Sequence, residues 1–311
     1  MGGIILGNLP FVGISYKGHH HERALVQEFS HPDAVKDIHQ KALQVGIQEF
    51  AIQIPENEQM KIHWEVLSEI SDISSEVSVI PNISIPLSLD GQPLDVYRRW
   101  ATVLAAYNSE EILEIVANDK ILQCRPDWQT LIVRAVNEKR NFSIEEISRV
   151  KLDRKTIELI ISQLAGFPVQ FLEFGSEVDF LVASRRIDLV GELIDLGKSY
   201  GYSVGFGVHH AALTLPKLEQ IEGIKGFLTP INPIGLMMFP TQGEALQAAQ
   251  QVENYRTRLI GIKPLAGGHY LRVKQSLAFL AQHGIERFMI GISSASELKQ
   301  AVNEWNRLKE T

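Results

Sequence analysis

The sequence predicts an α/β protein, a (β/α)₈ TIM barrel with one long insertion between its third and fourth strands. Three observations carry that prediction. A helix–glycine–strand joint recurs at Val45-Gly46-Ile47, Ala165-Gly166, Tyr200-Gly201, Glu222-Gly223 and His283-Gly284. Glycine just past a helix supplies the left-handed residue that ends it. The runs that follow are short and apolar on both faces, as in parallel strands covered by helices. Eight such runs lie near 11–15, 48–53, 77–84, 169–174, 203–208, 225–229, 259–263 and 286–291. Eight parallel strands close into a barrel more readily than they spread into an open sheet. Third, about 85 residues separate the third run from the fourth, where about 25–35 would hold a turn and a helix.

The elements follow in order. Ahead of the first run, Ile4-Ile5-Leu6 has no basic flank, so no signal peptide is expected. Pro32 suits a first helical turn, and Val35, Ile38, Ala42 and Val45 make an apolar stripe at the helical period. After the third strand, residues 88–152 form the insertion. It holds helix-like pieces at Val96–Ala106, Glu110–Ala117 and Trp128–Val136. Asp153 caps a helix striped by Ile157, Ile160, Ile161 and Leu164. Leu298, Ala301, Val302 and Trp305 stripe the last helix. A bare barrel takes roughly 250 residues, so the 311 present leave about 60 over, and the insertion accounts for them. Residues 1–311 are thus read as one barrel, with 88–152 at its mouth.

Composition removes several classes of function. Hydrophobic residues at 45% and charged residues at 22% exclude disorder and low complexity. Cys124 stands alone, so no intrachain disulfide, Cys-rich zinc site or iron–sulfur cluster is expected. A net charge of −7 gives no pull toward nucleic acid or anionic lipid. No apolar stretch approaches membrane-spanning length. The expected partner is a small-molecule ligand, in the cytoplasm; a homo-oligomer is compatible with the sequence.

In such a barrel the loops after the strands build the site. They bring Tyr16, Lys17 and His19 to His21 after the first strand, Gln53 and Glu56 after the second, and Asn82 and Ser84 after the third. Glu173, Ser176 and Glu177 follow the fourth strand, His209 and His210 the fifth, Asn232 the sixth, and Lys263 the seventh. Glu173 interrupts an apolar run, and a buried carboxylate needs a partner, with Lys263 or a histidine in reach. The pairing is structural or an acid–base pair. His19 to His21 read most simply as a solvated loop, and Met237-Met238-Phe239 as packing. Leu265-Ala266-Gly267-Gly268 and Gly291-Ile292-Ser293-Ser294 are close turns or a phosphate cradle, since these loops commonly hold phosphate in this fold. Glu56, Glu173, His209 and Lys263 are the catalytic candidates. Asn232, Lys263, Pro264, Leu265, Gly267, Gly268, Gly291, Ser293 and Ser294 are the cofactor-binding ones, and no metal ligands are assigned.

These segments resemble the aldo-keto reductase superfamily, particularly its bacterial ferredoxin-related members. Val204-Gly205-Phe206-Gly207-Val208-His209-His210 is similar to the family's strand-five motif, and Pro230-Ile231-Asn232-Pro233 to its Pro-x-Asn-Pro. Ile262-Lys263-Pro264-Leu265-Ala266-Gly267-Gly268 and Gly291-Ile292-Ser293-Ser294 resemble its two cofactor loops. The resemblance implies a barrel that binds NADP(H) and moves a hydride to a carbonyl, with an Asp, Tyr, Lys and His tetrad. This chain departs from the tetrad: those positions fall on Ala51, on or near Glu56, around Pro81-Asn82, and on Glu173 or Phe174. Gly207 replaces the serine that would hold the nicotinamide amide, and no arginine for a 2′-phosphate follows Gly291. Groups that act as a unit fail together, so the usual reaction is not expected.

Three functions remain. The first is an NADP(H)-dependent oxidoreductase in which Glu56, Glu173, Lys263 or His209 replaces the proton donor. The second is a metal-assisted hydrolase or lyase using His19, His20, His21, His209, His210 and Glu173. The third is a non-catalytic barrel serving as a binding module.

Overall fold

The computed structural model describes residues 3–107, 110–124 and 128–310, the side chain of Ile73 apart. Its barrel strands are β1 (Ile4–Gly7), β2 (Glu49–Gln53), β3 (Ser78–Ile83), β4 (Leu172–Phe174), β5 (Val204–Gly207), β6 (Ile224–Pro230), β7 (Leu259–Ile262) and β8 (Arg287–Gly291). They form a closed parallel barrel, each strand beside its sequence neighbour. β1 closes the ring against β8 through Leu6↔Ile290 and Gly7↔Gly291. Ile5, Ile80, Phe171, Leu228 and Ile260 pack together inside it, so the barrel is filled rather than hollow. Gly205 makes room for that filling, because a Cβ there would stand 2.6 Å from the Phe171 ring.

One expected strand is corrected. Residues 11–15 are not a strand; β1 is the short run Ile4–Gly7 before them. Phe11 and Val12 both donate to the Asn8 carbonyl, and Ile14 donates to that of Leu9, so the chain coils after Pro10. Phe11 is fully buried against Phe29, His39 and His63. Its apolarity serves a packed loop. Likewise His19 to His21 open the helix His19–Glu28 rather than lying in a loop.

The expected helix stripes face the barrel. Val35, Ile38 and Ala42 are buried on the helix Pro32–Gln44, as are Leu298, Ala301, Val302 and Trp305 on the helix Ala295–Lys309. Asp153 accepts the Thr156 amide at the start of the helix Arg154–Gln163. The five joint glycines, 46, 166, 201, 223 and 284, all have positive φ.

Between β3 and the helix Arg154–Gln163 the chain forms a small antiparallel sheet (Leu87–Leu89 flanked by Gln92–Pro93 and Lys151–Leu152) and five helices among the described residues. These helices, Val96–Ala105 to Ile144–Arg149, carry an apolar cluster of Leu104, Ile112, Val116, Ile121, Leu122 and Ile132. Met237 and Phe239, from the loop after β6, complete it. Buried Asp119 ties the two together by accepting the Met237 amide at 2.6 Å. The extra segment is thereby anchored over the loops that end the later strands. Among the described residues no helix is long and apolar enough to cross a membrane.

Candidate functional site

Because all eight strands run the same way, their C-terminal ends form one ring, and residues far apart in sequence meet there. A cavity of about 500 Å³ opens at that ring. Its floor is Ala51, Gln53, Asn82, Glu173, Gly207, His209, Lys263 and Met289. It extends outward past Gly267 and Gly268 to Gly291, Ser293, Glu297 and Gln300.

Glu173 lies at the inner end, 6% exposed and in register with Asn82 on β3. Burial pushes its carboxyl up to about 7, against the Asn82 side-chain hydrogen bond and the Lys263 charge, which pull it down. Desolvation outweighs both because an ionised carboxylate loses more on leaving water than two partial compensations return. Gly207 accommodates the carboxyl: a Cβ there would stand 2.6 Å from Glu173 Oε1. The lack of a side chain at position 207 is what leaves room for the Glu173 carboxyl.

Lys263 Nζ stands 3.3 Å from His209 Nε2 and 5.4 Å from the centre of the Tyr16 ring. Burial first, then the Lys263 charge, holds the His209 ring far below the usual imidazole range, so it is neutral. A neutral ring whose Nε2 accepts from the ammonium carries its proton on Nδ1, and Nδ1 is buried without a partner. Asp179 fixes the backbone here, accepting the amides of His209 and His210 at 2.9 and 3.2 Å and the Thr214 hydroxyl at 2.6 Å. Burial raises the Asp179 carboxyl to about 7. His210 turns away from the cavity into Trp100, Phe239 and Tyr107, whose hydroxyl is 2.9 Å from its Nδ1.

At the outer end Lys17 lies over Gly268, where a Cβ would meet Lys17 Cε at 2.6 Å. His269 Nε2 donates to the Tyr16 carbonyl at 2.7 Å and pins this loop. The strand-eight turn is already engaged. Ser293 donates from its amide and its hydroxyl to Glu297 Oε2, at 2.9 and 3.1 Å. Ser294 caps the last helix by accepting the Glu297 amide. The spacing Ser294-x-x-Glu297 is a capping-box signal, and through it the sequence could have pointed to Glu297.

The structure thus gathers Glu173, His209, Lys263, Pro264, Leu265, Gly267, Gly268, Gly291 and Ser293 around one cavity. It does not bring Glu56 there: that side chain is exposed beyond β2. Asn232 is fully buried and closes its own loop through the amide and carbonyl of Leu236. The histidines of the metal reading are dispersed. His19 pairs with Glu22 at the surface, and His210 is in the aromatic cluster. Among the described residues no group of three or more His, Cys, Asp or Glu side chains could hold a metal ion.

No family model matches the chain, and no curated protein does. Solved structures do. Two, each described as a putative aldo-keto reductase from Pseudomonas aeruginosa, superpose with TM-scores of 0.54 and 0.56 at 12% identity, covering 98% of this chain and 90% of theirs. The barrel has an aldo-keto-reductase-like fold. An aldose reductase from Giardia lamblia aligns over 99% of this chain and 87% of its own at 9% identity and a TM-score of 0.44. At such identities the likeness concerns the fold; the chemistry rests on this chain's own side chains.

Proposed function

We propose that this protein is an NADP(H)-dependent oxidoreductase acting on a small carbonyl compound, with Glu173 in the place of the usual proton donor. One observation supports this reading above the others. A single cavity of about 500 Å³ is lined both by an acid–base group at the barrel centre and by the strand-seven and strand-eight loops.

The residues fit that cofactor unevenly. Gln53 and Asn82 line the inner end and offer side-chain amide donors to a carboxamide. Lys17, with Gly267 and Gly268, suits a diphosphate. The outermost position suits an additional phosphate less well, because the Glu297 carboxylate already holds Ser293. When bound, NADPH supplies a hydride. The chain's own part is proton supply and orientation. A carboxyl raised by burial to about 7 keeps its proton closer to neutral pH than an exposed one, which suits donation to a carbonyl oxygen. Asn82 orients its carboxyl, and the Lys263 ammonium favours negative charge developing on the substrate oxygen. Asp179 keeps the His209 backbone in place.

A binding module without redox chemistry is the second reading, and the occupied Ser293 donors favour it. Titration of tryptophan fluorescence with NADPH separates the two. A saturable quench supports the oxidoreductase, and no binding at millimolar cofactor removes it.

A further inference from the structure

Lys263 lies half-buried in the cavity wall. Among the described residues no carboxylate lies within ion-pair distance of its ammonium, whose hydrogen-bond partner is the neutral His209 ring at 3.3 Å. A cation taken out of water normally keeps an acid beside it. The backbone adds a second, independent sign. Lys263 has φ 54 and precedes Pro264, a left-handed conformation that a bulky side chain before proline seldom adopts. Such strain concentrates where a side chain is held for use. A lysine beside a base, in a pocket that also holds a carboxyl, is the arrangement of amine nucleophiles that react with carbonyls.

We infer that Lys263 condenses with a small hydroxylated ketone or aldehyde in this cavity to form a protonated imine, and that Glu173 then moves the proton on the adjacent carbon. The steps balance. Glu173 takes one proton from the ammonium, and the freed Nζ pair bonds to the carbonyl carbon. The carbonyl oxygen collects two of the three ammonium protons and leaves as water, so ammonium plus carbonyl gives iminium plus water. The Glu173 carboxylate then takes the α-proton, that C–H pair becomes the C=C bond, and the C=N pair returns to nitrogen as a neutral enamine. His209, neutral at Nε2, accepts from the nitrogen throughout without adding a like charge. Ser84, Asn82 and Gln53 line the same floor and suit the hydroxyls of a short polyol. This activity needs no dinucleotide, so it stands apart from the oxidoreductase reading although it shares the pocket.

The test uses the full chain with dihydroxyacetone and sodium cyanoborohydride, without NADPH. One reduced adduct per chain, mapping to Lys263 and absent from Lys263→Arg, is the expected result. Without borohydride, in deuterium oxide, the protein should exchange the α-hydrogens of dihydroxyacetone, as read by NMR. Glu173→Gln should slow that exchange about a hundredfold, and the adduct should still map to Lys263 but form more slowly, since the ammonium then loses its proton to solvent. Circular dichroism and urea unfolding of both variants establish that they fold. No adduct, or adducts spread over exposed lysines and undiminished in Lys263→Arg, overturns the proposal. Exchange undiminished in Glu173→Gln overturns the role of Glu173. Wild type that binds NADPH but traps nothing refutes the imine and spares the oxidoreductase; trapping without NADPH binding does the reverse.

Discussion

Replacing Glu173 with Gln keeps the side chain's shape and removes its charge, and the consequence for stability depends on pH in a defined way. Burial raises this carboxyl from 4.5 to about 7 in the folded protein. Ionising it while folded therefore costs about 3 kcal/mol more than ionising it in the unfolded chain, at about 1.4 kcal/mol per unit. The folded pKa is the higher one, so the folded state binds more protons between pH 4.5 and 7. The contribution of Glu173 to stability accordingly falls as pH rises through that window and is level on either side. The glutamine variant has no such loss. Urea unfolding of both proteins at pH 5, 6, 7 and 8 isolates the effect, since contributions from Asp179 and the histidines cancel in the difference. The variant should gain on wild type by about 2–3 kcal/mol between pH 5 and pH 8. A difference that stays constant across this range would refute the buried, proton-holding glutamate on which the site is built.

Other outcomes follow from single contacts. Glu297→Gln removes the carboxylate at Ser293 and should tighten NADPH about fivefold, roughly 1 kcal/mol, while changing NADH little; calorimetry reads both. Gly207→Ala drives a Cβ to 2.6 Å from Glu173 Oε1 and should cost about 1–3 kcal/mol in denaturant unfolding by parting Glu173 from Asn82. His39 is held near 4 by burial, so its stabilising contribution is present above pH 6.5 and drains away as pH falls to 4. That amounts to about 3 kcal/mol, and His39→Leu should flatten this acid limb in thermal melts at pH 4–7. Tyr107→Phe removes the hydroxyl at His210 Nδ1 and should lower stability by about 1 kcal/mol, seen as a shifted urea midpoint.

How much was legible in the sequence differs between barrel and site. Seven of the eight strands follow from helix-ending glycines and apolar runs, because both are local consequences of backbone conformation and burial. The first strand was misplaced because two short apolar runs sit close together near the N-terminus. Apolarity reports burial, and Phe11 is as buried in a loop as Ile5 is in the barrel. Glu173, His209 and Lys263 could be gathered from their order alone, since parallel strands place every C-terminal end on one ring. Glu56 could not, because its position depends on the path of the loop beyond β2. The clamp from Asp179 to the His209 and His210 amides was hidden, as its partners lie 30 or more positions away with no motif linking them. The meaning of Gly207 was equally hidden until the Glu173 carboxyl stood over it.

The proposed chemistry needs the cavity to hold a dinucleotide with Glu173 at its reacting end. A crystal structure grown with NADPH tests this most directly. The account predicts density from the Glu173–His209–Lys263 floor out to Ser293 and Gln300, with the nicotinamide at the inner end. An empty cavity at millimolar NADPH, or a cofactor seated elsewhere on the molecule, would contradict it.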